Sequence, residues 1–137
     1  MIKFSDAHGP RLLRIAPARV RPALADQLQD HAHAIAEDAA GSIRDGAISG
    51  AGHVPSLPGE PPNADTHDLD QSIHATEVIE TADEIRTSVS VTSDHAWLER
   101  GGANVVERPY LSPAVRRQHG STIRGLRGAF ARLIRSA

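Results

Sequence analysis

The chain has 137 residues, enough for a core in one domain. Its apolar share is 39%, but alanine supplies much of it, and Phe4, Trp97, Tyr110 and Phe130 are the only aromatic residues. The net charge is only −2, and the absence of cysteine excludes a disulfide framework, a thiolate zinc site and a cysteine nucleophile, as expected of an intracellular protein.

Small side chains bury little area each, at about 25 cal/mol per Å², so an isolated subunit is marginal and association with further copies would help. No run approaches the roughly 20 apolar residues of a membrane span, and Met1 to Asp6 lacks a signal peptide's apolar centre, so a soluble chain is expected. Charge is unevenly placed. Glu60, Asp65, Asp68, Asp70, Glu77, Glu80, Asp83 and Glu84 form an acidic run without Lys or Arg, whereas Arg108, Arg116, Arg117, Arg124, Arg127, Arg132 and Arg135 close the chain without an acid. Opposite fields on one subunit suit head-to-tail contact between neighbours, which closes rings when the rotation permits.

In chain order, Met1 to Ser5 reads as a short edge strand, followed by Gly9-Pro10 and a brief apolar run, Leu12 to Ile15, broken by Pro17. From Arg19 to Ile48 the residues Val20, Leu24, Leu28, Ala32, Ile35, Ala39 and Ile43 recur at three and four, predicting a long helix with Pro22 in its first turn. Prolines 55, 58, 61 and 62 exclude helix or ladder, so residues 50–65 are expected to be a flexible proline-rich loop or an arm ordered on assembly. The Pro55–Pro58 and Pro58–Pro61 spacings also fit an adaptor-domain ligand, a weaker reading.

A helical turn is expected at Asp68 to Ser72. Ile73 to Glu80 and Glu84 to Thr92 read as a hairpin, the second strand alternating Ile85, Thr87, Val89 and Val91 with polar residues. Ser93-Asp94 can cap a short helix through Arg100, with Gly101-Gly102 as a stop of positive φ; Val105-Val106 would then add a third strand. The last helix is expected from Pro113 to Ile134, capped by Ser112, with Pro113 in the first position. Its apolar stripe would be Val115, His119, Ile123, Leu126, Phe130 and Leu133, and Gly120, Gly125 and Gly128 each weaken it by roughly 1 kcal/mol.

Eight histidines invite a metal hypothesis. His33 and Glu37 share a helix face, but His31 points about 200° round from His33, so too few ligands converge for zinc. His67, Asp68, Asp70 and His74 follow no known ligand spacing, and capping or solvation of backbone accounts for them more simply. Phosphate-loop, nucleophile-elbow and His-Glu-x-x-His signatures are missing, so neither catalytic residues nor a cofactor are assigned. The arginines of the last helix could meet DNA phosphates, yet stacking aromatics are scarce, which favours solvation or pairing with the acidic run of a neighbouring subunit.

Taken in order, Pro58-Gly59-Glu60-Pro61-Pro62, Thr66 to Ile73, His95 to Gly101 and Arg108-Pro109-Tyr110-Leu111-Ser112-Pro113-Ala114 carry a resemblance. They resemble the Pro-Gly-x-Pro-Pro, Thr-Gly-x-Leu-x-x-Ser-Ile, Tyr-Ala-x-x-x-Glu-x-Gly-Thr and Arg-Pro-Phe-Leu-x-Pro-Ala signatures of the HK-ninety-seven gene-ten-like phage proteins. That family comprises neck or tail-completion components, similar in kind to the lambda minor tail protein Z. The likeness spans residues 19–135. His67 stands where the pattern has glycine, His95 where it has tyrosine, Gly102 for threonine and Tyr110 for phenylalanine.

The resemblance implies an α+β fold, with a long N-terminal helix and a C-terminal helix packed on a small antiparallel sheet. It implies a structural, non-enzymatic virion component at the head–tail junction or tail, assembled in the bacterial host cytoplasm. Multiple copies, as a homo-oligomer or ring, would surround the channel and contact other neck or tail proteins, without a membrane. The interaction residues it suggests are Trp97, Glu99, Arg108, Tyr110, Leu111, Arg116, Arg117, Arg124 and Arg127. Glu99 would accept hydrogen bonds from backbone near Gly101 or from a neighbour's arginine. Competing readings are a small DNA-binding protein using the last helix and, ranked last, a metal-dependent enzyme.

Overall fold

A computed structural model describes residues 17–135; the expected strand at Met1–Ser5 and the run Leu12–Ile15 lie outside the described residues. The chain is α+β. Helix α1 (Pro17–Arg44) precedes a loop with one 3₁₀ turn at Gly50–Gly52 and a one-turn helix α2 (Asp68–Gln71). Strands β1 (Ile73–Ala75), β2 (Ile79–Glu80), β3 (Ile85–Arg86) and β4 (Val89–Val91) follow, then a 3₁₀ turn at Ala96–Glu99 and helix α3 (Leu111–Arg135).

Helix α1 has 28 residues, about 42 Å at 1.5 Å per residue, and organises the rest. Val20, Leu28, Ala32, Ile35, Ala39 and Ile43 are buried as the periodicity predicts, and so are Ala25, Ala36 and Ala40 beside them. The stripe is wide because α1 is covered twice, by α3 on one side and by α2 and the hairpin on another. It ends at Arg44, four residues before the expected Ile48. Ala47 N–H bonds the Arg44 carbonyl at 3.0 Å, tightening the turn, while the Ile48 carbonyl accepts from His53 Nδ1 at 2.9 Å and so leaves the helical ladder. Because the helix starts at Pro17, Pro22 falls in its second turn, not its first.

The hairpin is present but broken. Ile73 pairs with Val91 and Ala75 with Val89, whereas Ile79 pairs with Arg86 and Glu80 with Ile85, a register one residue out of step. The extra residue lies in 76–78 and makes a bulge. Thr76 organises it: its N–H donates to Ser88 O at 2.8 Å, its hydroxyl accepts from Ser88 N–H at 3.1 Å, and its carbonyl accepts from Thr87 Oγ1 at 2.9 Å. Helix α1 holds this irregular ribbon through Gln29, whose amide donates to Thr76 O at 3.1 Å, and through Arg21, whose guanidinium donates to Thr81 O and lies 3.5 Å from Glu80.

Val105 and Val106 form no third strand of this sheet. Gly102 and Val105 bridge each other around Ala103-Asn104, so the segment satisfies its backbone locally and leaves both valines exposed.

Helix α3 is rotated relative to the expected stripe. Its buried residues are Ala114, Thr122, Leu126 and Ala129, while Val115 and His119 are exposed. Close approach to α1 is the reason: small side chains face the alanines of α1, and the Thr122 hydroxyl is satisfied by the Gln118 carbonyl at 2.9 Å. Gly125 belongs to the same contact, because a Cβ there would overlap Nε2 of His31. At the other end of the helix pair, Ile43, Ala39, Ala114 and Tyr110 meet Leu69 and Ile73 in the core. Among the described residues no helix is long and apolar enough to cross a membrane.

Candidate functional site

The segment from Ser93 to Ser112 is shaped by a few side chains that replace regular structure. The Ser93 hydroxyl donates to the Asp68 carboxylate and accepts from His95 N–H at 3.1 Å, starting the 3₁₀ turn. Gly101 stops it with φ +70°; a Cβ there would sit 2.6 Å from the Val105 carbonyl, so only glycine fits. Arg108 N–H then returns to Leu98 O at 2.8 Å, closing the loop.

Glu99 is the centre of this loop. Its Oε2 accepts the N–H groups of Tyr110 and Leu111, and its Oε1 that of Ser112, each at 2.8 Å; Oε1 also takes the Ser112 hydroxyl. A helix start leaves four N–H groups without helical partners. Here three go to one carboxylate, and the fourth residue, Pro113, has none to offer. Glu99, not Ser112, is therefore the cap of α3, and its backbone donors come from the helix start rather than from Gly101. Burial pushes the Glu99 carboxyl up, but the Ser112 hydroxyl and the three N–H groups outweigh it and hold it below the usual value. Tyr110 is 1% exposed, with its hydroxyl donating to Ala96 O at 3.2 Å; burial, and then the Glu99 charge, push its phenol up to about 12.

The proline-rich segment is tied to the same loop. Gly59 N–H donates to Glu107 O at 3.1 Å, and the Arg108 guanidinium donates to the Ser56 carbonyl and, at 2.8 Å, to its hydroxyl. Between them opens a cleft of about 280 Å³ lined by Pro55, Pro62, His67, Asp70, Leu98 and Arg108 among others. Its floor is Asp70, 3% exposed. His67 Nδ1 lies 3.3 Å from both carboxylate oxygens, but hydrogen-bond geometry is met only at Oδ2, so Oδ1 is buried without a partner. His67 itself has φ +64°, the one positive φ at a described residue other than glycine.

The four sequence motifs thus meet in space. Pro62, residues 66–70, His95, Leu98 and Arg108 line one cleft, Gly59 bonds Glu107 next to 108–114, His95 lies 3.8 Å from Asp68, and 95–101 joins 108–114 through Glu99. Compared with protein-family models, curated proteins and solved structures, the chain finds no match.

Of the residues suggested for interaction, Glu99, Arg108, Tyr110 and Leu111 are engaged within the chain, and Trp97 is 46% exposed. Leu57, Val105 and Val106 are exposed on the loops that the Gly59–Glu107 and Arg108–Ser56 bonds hold beside the Trp97 turn. Within the subunit, and among the described residues, the last helix does not pair with the acidic run. Arg117 instead grips Asp38 of α1, Nη2 to Oδ1 at 2.7 Å, and Gln118 adds 2.9 Å to Oδ2; the Arg117 bond most of all holds the Asp38 carboxyl below its usual range. Glu80 and Asp70 in the run face Arg21 and Arg44 of α1. Arg116, Arg124 and Arg127 have no acid within 4.0 Å among the described residues.

His33 is exposed and Glu37 engages Arg44, so His31, His33 and Glu37 are not brought together. Among the described residues no three His, Cys, Asp or Glu side chains group to hold a metal. Read from sequence, Asp70 is a solvated capping residue; its burial goes with two core neighbours, Leu69 directly before it and Ile73 three residues on.

Proposed function

We propose that the chain is a structural subunit of a long-tailed phage or prophage particle, joining head to tail or completing the tail through protein contacts. The observation that carries this reading is the coincidence at His67. The motif resemblance places glycine at that position, and His67 holds the left-handed backbone that favours glycine. The convergence of all four motif segments on one face adds support, because widely separated signatures serve one docking platform most simply when they are adjacent.

In this reading the platform consists of Trp97, Val105, Val106 and Leu57 over the frame built by Glu99 and Arg108, and it meets another neck or tail protein. Exposed aromatic and aliphatic side chains on a braced loop are what such a contact uses. Several copies would sit around the channel in the virion after assembly in the bacterial cytoplasm. Co-expression with connector and tail-tube proteins of the genome that encodes the chain tests this. Capture by one of them is the expected result, and capture by neither, where those proteins bind each other, refutes it.

One observation favours a second reading. Arg116, Arg124 and Arg127, with no acid beside them, would attract DNA phosphates, and a salt-titrated duplex-binding assay with Arg124→Ala and Arg127→Ala separates that role: a steep salt slope lessened by both changes supports it.

A further inference from the structure

Two groups of charge on this chain are incompletely answered within it, one buried at the bottom of a cleft and one on an exposed face. The first is the Asp70 cleft. Its floor carboxylate keeps one oxygen without a partner, and Asp65 and Asp68 stand at its margin. The chain's own cations do not fill it: Arg44 approaches Asp70 Oδ2 no nearer than 4.0 Å while bonded to Glu37, and Arg108 spends its guanidinium on Ser56. A buried carboxylate so placed binds a charged donor far better than a neutral one.

The second is the outer face of α3. At 100° per residue, Arg116, Arg124 and Arg127 lie within about 80° of one another, opposite Ala114, Thr122, Leu126 and Ala129, which are buried against α1. Cleft helix α2 also packs on α1, so this face of α3 is turned away from the cleft of its own subunit. The two features are therefore placed to meet between copies.

We infer that the cleft over Asp70 receives an arginine from the outer face of α3 of a second copy of this chain. Lys3 is the only lysine, so arginine is the cation a second copy offers, and its long side chain can bring a guanidinium N–H to the one oxygen of Asp70 that His67 leaves without a partner. Because donor and receptor lie on different faces, each copy uses both, and the contact propagates head to tail. This deepens the structural-subunit reading by naming one partner, and the two fail separately: self-association is measured on the purified chain, docking on the connector or tail tube by capture.

Sedimentation equilibrium of the full chain at low salt is the test. Wild type self-associates, less so at high salt, and Arg124→Glu with Arg127→Glu weakens association at least about tenfold without unfolding an exposed face. Asp70→Asn weakens it similarly. Should that variant unfold, Asp65→Arg on the exposed margin replaces it. Mixing Asp65→Arg chains with chains carrying Arg124→Glu and Arg127→Glu, each monomeric alone, forms heterodimers through the intact arginines of one and the intact cleft of the other. Wild type that stays monomeric, association indifferent to the arginine reversals, or a mixture that fails to pair overturns the inference. Loss of duplex DNA binding with self-association intact does so as well, by assigning the arginines to DNA.

Discussion

Replacing Glu99 by alanine removes the acceptor for three backbone N–H groups at the start of α3, each now 2.8 Å from a carboxylate oxygen. Ser112 is exposed, and water can replace its share. Tyr110 is buried and Leu111 half-buried, so their N–H groups are left short of partners. A lost cap costs about 1 kcal/mol, and each of the two sheltered donors adds roughly 1 kcal/mol, for a total near 3 kcal/mol. That corresponds to roughly 10 °C in melting temperature for a chain of this length. Glu99→Gln keeps one good acceptor and falls about midway. Urea unfolding followed by far-UV circular dichroism and by Trp97 fluorescence measures both. The pH dependence is a second readout. The folded Glu99 carboxyl lies below its ordinary 4.5, so its contribution is complete above that pH and is lost as pH falls through the lower folded value. Glu99→Ala therefore flattens the acid limb of stability. A change under about 0.5 kcal/mol, or an unaltered acid limb, refutes the assignment of Glu99 as the cap.

His67→Gly is more stable than His67→Ala by about 1 kcal/mol, the reverse of the usual order in a helix, because both lose the imidazole and only glycine relaxes at φ +64°; equal melting contradicts this. Gly125→Ala is less stable than Gly120→Ala, since its Cβ meets the His31 ring whereas at Gly120 only the end of the flexible Arg124 side chain is near, and His31→Ala removes the difference in thermal unfolding. The chain has one tyrosine, so ultraviolet titration reads Tyr110 alone: the phenol ionises near 12 while folded, and stability is retained below the ordinary value of 10 and lost as pH rises through the folded one. Ionisation near 10 in the folded chain contradicts its burial.

Elements set by local periodicity are legible in the sequence: α1 from its three-and-four spacing, the hairpin from alternation in Ile85 to Val91, the stop at Gly101. What stays hidden depends on partners distant in sequence. Ser112 beside Pro113 has every local mark of a cap, yet Glu99, eleven residues before Tyr110, reaches the same N–H groups with a full charge. Hydropathy sets the buried stripe of α3 part of a turn away from where it lies, because it weights Val115; Leu126 belongs to both stripes, but close helix packing adds Ala114, Thr122, Gly125 and Ala129. The prolines mark the loop, but its attachment through Arg108 to Ser56 spans 52 residues and leaves no local trace. Asp70 looks like a solvated carboxylate in an acidic run, and its burial follows from the core neighbours Leu69 and Ile73.

The most direct test of the account is capture by the connector or tail-tube protein of a chain carrying Trp97→Ala and Val106→Asp, both at exposed positions, so that melting matches wild type. Wild type is captured, and the folded double variant binds at least about tenfold more weakly. Equal capture of the two would contradict it, because the partner would then be held by a surface other than the loop braced by Glu99 and Arg108.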